Sequence, residues 1–209
     1  MTPYYEQDGI TIYHGDCRAV LSLLEPMDVL LTDPPYGIDF AGQPTKWQRR
    51  AGQQAQDWDS QPAADWLLSW ARSMARFQIV WGGNYFALPP ARCWLSWYKA
   101  DAPPSMGNVE YAWTNLDQNS RQISVSISAT NAERVGHPTQ KPEAVIRWAL
   151  MQVPLDGASV LDPFMGSGTA LVAAKRLGRK AVGIEINEAY CEKAAKRLQQ
   201  GALPMEFSA

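Results

Sequence analysis

Asp33, Pro34, Pro35 and Tyr36 place a carboxylate, two rigid backbone carbonyls and a flat ring in four consecutive positions. Chemically they amount to a pair of hydrogen-bond acceptors beside a stacking surface. The turn is stiff and stands at a strand's C-terminal end, the edge where ligands sit in open α/β sheets. Neither proline can donate a ladder hydrogen bond, so the apolar run Val29 to Leu31 must end as a strand here. Taken alone, the same four residues would serve equally well as a plain surface turn.

A second constellation lies far downstream in VLDPFMGSGTALVAAKRLG, Val160 to Gly178. A strand runs into a glycine-rich turn and then a helix. Gly166 and Gly168 permit a sharp turn and a close ligand approach, and the helix N-terminus offers N–H groups to an anion. Glu185 and Ile186 close the next strand, with Glu185 standing 17 residues after Gly168. An acid near that offset commonly accepts hydrogen bonds from ribose hydroxyls. The stretch is neither a dinucleotide fingerprint, since Leu171 sits where G-x-G-x-x-G needs glycine, nor a P-loop, since no GK[ST] follows. Two smaller pieces accompany it: HPTQKP, His137 to Pro142, before a helix, and Asp16-Cys17 at the end of the first strand.

The elements that must position these residues alternate. GITIYHG, MDVLLTD, FQIVWGG, ASVLDP and KAVGIEI read as strands, with CWLSWYK and VEYAWTN as two more. CRAVLSLL, KPEAVIRWALMQV, GTALVAAKRLG and NEAYCEKAAKRLQQG read as helices, the last capped by Asn187. A further helix begins at Pro62, with Trp66, Leu67, Trp70 and Met74 at helical spacing. The expectation is an α/β fold with a mostly parallel central sheet flanked by helices, in one domain spanning 1–209. Residues 37–61 and 116–136 are polar and without periodicity. Loops that long are usually functional.

Asp33-Pro-Pro-Tyr36, His137-Pro-Thr-Gln-Lys-Pro142 and Asp162-Pro-Phe-Met-Gly-Ser-Gly-Thr169, in that order across roughly residues 10 to 198, resemble the amino-group DNA methyltransferases. The order resembles their circularly permuted beta class, in which the catalytic motif precedes the cofactor motif. The resemblance implies a Rossmann-like fold, S-adenosylmethionine as cofactor and S-adenosylhomocysteine as product. It also implies transfer of a methyl group to the N6 amino group of a flipped-out adenine in double-stranded DNA. Asp33, Pro34, Pro35 and Tyr36 would be catalytic. Asp162, Phe164, Gly166, Ser167, Gly168 and Thr169 would form the cofactor loop. Glu185 and Ile186 would lie at the ribose, Asp16 and Cys17 at the adenine of the cofactor, and His137, Thr139 and Lys141 at its methionine end, with Asp33 beside it.

DNA recognition is expected from the two polar loops, through Lys46, Trp47, Arg49, Arg50, Trp58, Arg121 and Arg134. Basic side chains neutralise phosphates, and an aromatic can wedge into the space left by a flipped base. Solvated loop charge and a buried tryptophan would explain these residues equally well. The interval 116–136 is short for a recognition region, which suggests a homodimer sharing recognition contacts. The small size suits a solitary or prophage-type bacterial enzyme, with a restriction-modification partner left open.

Composition sets further bounds. The net charge of −2 argues mildly against nucleic acid as a partner. Three widely spaced cysteines and two histidines argue against zinc or a disulfide framework, so no metal is expected. No apolar stretch approaches a membrane span and MTPYYEQDG is unlike a signal peptide, so a cytoplasmic protein is expected. The alternatives are N4-cytosine methylation, whose enzymes more often carry Ser in place of Asp33, an RNA substrate, and protein glutamine. An inactive cofactor-binding protein and a nicotinamide-dependent oxidoreductase complete them.

Overall fold

The computed structural model describes residues 1–37, 61–104, 106–128 and 140–200. Lys46, Trp47, Arg49, Arg50, Trp58, Arg134, His137 and Thr139 lie outside the described residues, as do 38–60 and 129–136 of the two polar loops. In chain order the strands are β1 (Tyr5–Gln7), β2 (Ile10–His14), β3 (Met27–Thr32), β4 (Ala75–Trp81), β5 (Trp94–Tyr98), β6 (Val109–Thr114), β7 (Arg121–Ser124), β8 (Val160–Asp162) and β9 (Ala181–Glu185). The helices are α1 (Cys17–Leu21), α2 (Asp65–Ser73), α3 (Glu143–Leu150), α4 (Thr169–Arg176) and α5 (Glu188–Gln199).

All nine strands join one sheet in the order β1-β2-β9-β8-β3-β4-β6-β5-β7. The five central strands, β2 to β4 in that order, are mutually parallel. β6 is antiparallel to both β4 and β5. Buried on both faces, β3 reads as a continuous apolar run. Val29 and Leu31 join the core under α3, α4 and α5, while Leu30 joins the core under α1 and α2.

This arrangement creates a switch point. The crossover β3-α2-β4 runs outward on one face, and β8-α4-β9 runs outward on the other. Neighbouring strands β3 and β8 thus send their helices to opposite faces and leave a crevice beyond their carboxyl ends, where ligands bind in open α/β sheets. The amino ends are sealed by Asp28, whose carboxylate accepts the Ser159 N–H at 2.8 Å and its hydroxyl at 2.7 Å. Ladder pairing stops at Leu30 with Leu161. Beyond it, Thr32 Oγ1 donates to Asp162 Oδ1 at 2.9 Å.

Two details differ from the sequence reading. The helix expected from Pro62 starts at Asp65, because Pro62 pairs with Tyr36 and the Ala63 N–H donates to Pro35 O at 3.0 Å. Within the polar interval 116–136, residues 121–124 form an edge strand on β5. β6, β5 and β7 also overshoot the central strands. Ala112 pairs with Trp81 at the end of β4, and β6 continues to Val109, about 10 Å further. That extension becomes one wall of the site.

Candidate active site

The glycine loop between β8 and α4 folds down because β9 offers it no side chain. A Cβ on Gly183 would lie 2.6 Å from Met165 Sδ and 2.8 Å from the Leu171 methyls. Gly168 adopts φ +79° against α5, where a Cβ would meet that of Ala194 at 2.6 Å. The Met165 N–H donates to Ile184 O at 3.1 Å and fixes the loop to the strand. Glu185 faces the loop. Its carboxylate accepts the Gly166 N–H at 3.0 Å and the Asn187 N–H at 2.8 Å. Burial raises its pKa, and the Asn187, Gly166 and Ile186 backbone N–H groups oppose the rise. A carboxylate has about four acceptor positions, so these bonds do not exhaust it.

Asp162, 4% exposed, stands at the base of the crevice. Burial pushes its carboxyl up to about 7, although the Phe164 N–H and Thr32 hydroxyl favour the charged form. Ser167 and Thr169 are buried, and Arg197 Nη1 donates to Ser167 O at 2.7 Å and to Thr169 Oγ1 at 3.1 Å. The loop is therefore tied to α5 from behind.

Across the crevice, Asp33 follows β3. Its Oδ1 accepts from the Tyr36 hydroxyl and its Oδ2 from Lys141 Nζ at 2.5 Å. Lys141 also lies 3.2 Å from the Tyr36 hydroxyl and 3.3 Å from Glu110 Oε2. Glu110, on the overshooting part of β6, pairs in turn with Lys99 at the end of β5. The result is an alternating chain, Lys99, Glu110, Lys141, Asp33, drawn from four segments. Burial alone would lower the Lys141 pKa, but Asp33, Tyr36 and Glu110 together hold it well above the ordinary lysine value. Burial and then the Asp33 charge lift the Tyr36 phenol well above its usual range. For Glu110, burial is outweighed by Lys141 and Lys99, and the net shift is downward.

The structure thus brings Asp33, Pro34, Pro35, Tyr36 and Lys141 together on one side of the crevice. Asp162, Phe164, Gly166, Ser167, Gly168, Thr169 and Glu185 gather on the other. The Lys141 ammonium pairs with the carboxylate of the Asp33 turn. Asp16 caps α1 and binds Arg18, whose hydrogen bond is the main cause of its lowered pKa. Cys17 is buried, and burial pushes its thiol up to about 11. Ile186 is 67% exposed beside Glu185. Arg121 is exposed on edge strand β7, four strand positions and about 19 Å from β3, outside the crevice. Glu110 and Lys99 escape the sequence reading, because a strand such as VEYAWTN gives no sign of how far it overshoots its neighbour.

A family model described as a DNA methylase, for N6 and N4 enzymes, matches residues 77–196. The chain belongs to this family. It is similar to the Type II methyltransferase M2.LlaDCHI of Lactococcus lactis subsp. cremoris, 27% identical over 96% of this chain and 93% of that protein. M2.DpnII of Streptococcus pneumoniae is 24% identical over 94% and 92%. The fold is shared with the M1.HpyAVI–SAM complex, at a TM-score of 0.62 and 22% identity over 90% of this chain and 98% of that one. PvuII DNA methyltransferase (cytosine-N4-specific) gives 0.63 and 20% over 99% and 90%. This DNA methylase therefore carries an acid-Pro-Pro-Tyr turn and a glycine loop on opposite banks of one crevice. Among the described residues no helix is long and apolar enough to cross a membrane.

Removing Glu110 leaves two buried ammonium groups short of a partner. Glu110→Gln is expected to destabilise the protein by about 2–4 kcal/mol in urea denaturation, somewhat less than for a fully buried pair because the carboxylate is 32% exposed. Adding Lys99→Met should recover part of that loss. Asp162 supplies a pH signature. Its folded carboxyl titrates near 7 against 3.8 for a free one, so the folded state binds an extra proton between those values. The Asp162 contribution to stability therefore falls as pH rises through that window. Asp162→Asn should flatten this slope when denaturation is compared at about pH 5 and about pH 7.

Proposed function

We propose that this DNA methylase transfers a methyl group to the N6 amino group of adenine in double-stranded DNA, with S-adenosylmethionine as the donor. The observation that carries the reading is the Asp33 carboxylate at the carboxyl end of β3, the strand paired with β8, whose end carries Asp162 and the glycine loop at the switch point.

The residues present fit the cofactor. Glu185 keeps acceptors for ribose hydroxyls, and the loop of Gly166 to Thr169 is bare enough for close approach. Asp162 and Phe164 line the same bank. When bound, S-adenosylmethionine supplies an electrophilic methyl group on a sulfonium centre.

The chain's own work is on the amine. An exocyclic amino nitrogen conjugated to a ring is a poor nucleophile. Asp33 and the Pro34 carbonyl accept its two N–H groups and favour a pyramidal nitrogen with its lone pair turned toward the loop. Charge that builds on nitrogen is met by acceptors that need no reorganisation. Lys141 and Tyr36 each take one acceptor position on Asp33, and a carboxylate offers about four, so the amine can join them. Lys141 also keeps Asp33 oriented by its charge-assisted bond. Tyr36 supplies the stacking ring. The choice of adenine over cytosine follows from the acid at position 33, since the resemblance associates cytosine enzymes more often with serine there.

Mass spectrometry of nucleosides from unmethylated DNA treated with the protein and S-adenosylmethionine is expected to show N6-methyladenine. N4-methylcytosine would overturn the choice of base. Unmodified DNA would overturn the reading.

A further inference from the structure

The ring that the proposed reaction uses to stack the target base is already stacked. Tyr85 lies against Tyr36 with ring centroids 4.8 Å apart and planes inclined by 16°. Two rings in such contact leave no space for a base between them. Phe86 meets the same ring edge-on, at 6.2 Å and 69°.

The segment that presents Tyr85 is built for close approach. β4 ends at Trp81 and passes into a 3₁₀ turn, Gly83–Tyr85. Gly82 takes φ +66°, and a Cβ there would lie 2.0 Å from a Tyr36 ring carbon. A Cβ on Gly83 would lie 2.4 Å from the Trp113 Cβ. The Gly82 N–H donates to Tyr111 O at 2.8 Å, and the Tyr85 N–H returns to Gly82 O at 2.8 Å. Two adjacent glycines thus seat the turn against the sheet and direct Tyr85 onto Tyr36. Tyr85 itself is 51% exposed, so its ring can swing outward without opening the core.

A base stacked on the outer face of Tyr85 would stand one ring further from Asp33, beyond reach of its carboxylate. We infer that Tyr85 is a gate over the target-base site, covering the stacking face of Tyr36 until the base displaces it. The inference rests on the proposed role of Tyr36 in stacking the base.

The test compares Tyr85→Ala, Tyr85→Phe and Tyr85→Trp by two readouts. One is fluorescence quenching of 2-aminopurine deoxyribonucleoside, a free base analogue, titrated with the protein. The other is kcat/KM for methylation of DNA. Tyr85→Ala should bind the nucleoside more tightly and gain roughly two- to tenfold in kcat/KM, the range an aromatic pair is worth. Tyr85→Phe keeps the stack and should match the unsubstituted protein. Tyr85→Trp stacks more strongly and should fall below it. The Phe and Trp variants retain the ring contact, so their contrast decides the matter even if the alanine variant folds poorly. Weaker nucleoside binding by Tyr85→Ala would make Tyr85 a fixed wall of the site and overturn the gate, as would equal behaviour of all variants. If the unsubstituted protein methylates no DNA, the proposed function fails separately, and the nucleoside titration still decides the gate.

Discussion

A buried ammonium held between two carboxylates is the constraint on which the rest of the site depends. Lys141 sits 2.5 Å from Asp33 and 3.3 Å from Glu110, with its side chain 5% exposed. Burying such charges is tolerable only when each has a partner of opposite sign and good geometry. The partners come from far apart: Asp33 is 108 residues from Lys141 in sequence. To satisfy this one group, the chain must bring together the end of β3, the overshoot of β5 and β6, and the residues before α3. The same requirement fixes the direction of the Asp33 carboxylate, because one oxygen is committed to Lys141 and the other to Tyr36.

The sheet provides the second half of the arrangement. Helices leave β3 and β8 on opposite faces, so the crevice between them is a property of topology rather than of any side chain. Side chains then give it two unlike banks. One is a turn stiffened by two prolines and anchored by charge. The other is backbone made bare by Gly166, Gly168 and Gly183, with a carboxylate at Glu185 facing it. Rigid acceptors on one bank and close-approach backbone on the other are what a transfer between two bound molecules needs.

Much of this was legible in the residues because it is local. The strand-ending prolines, the glycine turn, the Asn187 cap and the alternation of strand and helix each follow from short-range chemistry. The family motifs carried the pairing of Asp33 with the glycine loop. What was not legible depends on register and long-range packing. Glu110 sits in an unremarkable strand, and only its pairing with Trp97, beyond the end of β4, lifts it to the site. Pro62 looks like a helix start, yet it pairs with Tyr36 and the helix begins three residues later. The ion pair of Lys141 with Asp33 joins residues 108 positions apart and could not be read from either motif alone. The stacking of Tyr85 on Tyr36 could not be read from two tyrosines 49 positions apart.

Under the proposed reaction the Asp33 carboxylate serves the target amine first, and its place beside the cofactor adds little to cofactor affinity. Single-turnover methyl transfer to DNA by Asp33→Asn, measured beside its calorimetric affinity for S-adenosylmethionine, tests this directly. The transfer rate should fall by roughly 10²–10³, the scale of losing one preorganised charge-stabilising group, with cofactor affinity within about threefold of the unsubstituted protein. Cofactor affinity falling in step with the rate, or transfer proceeding at the original rate, would contradict it.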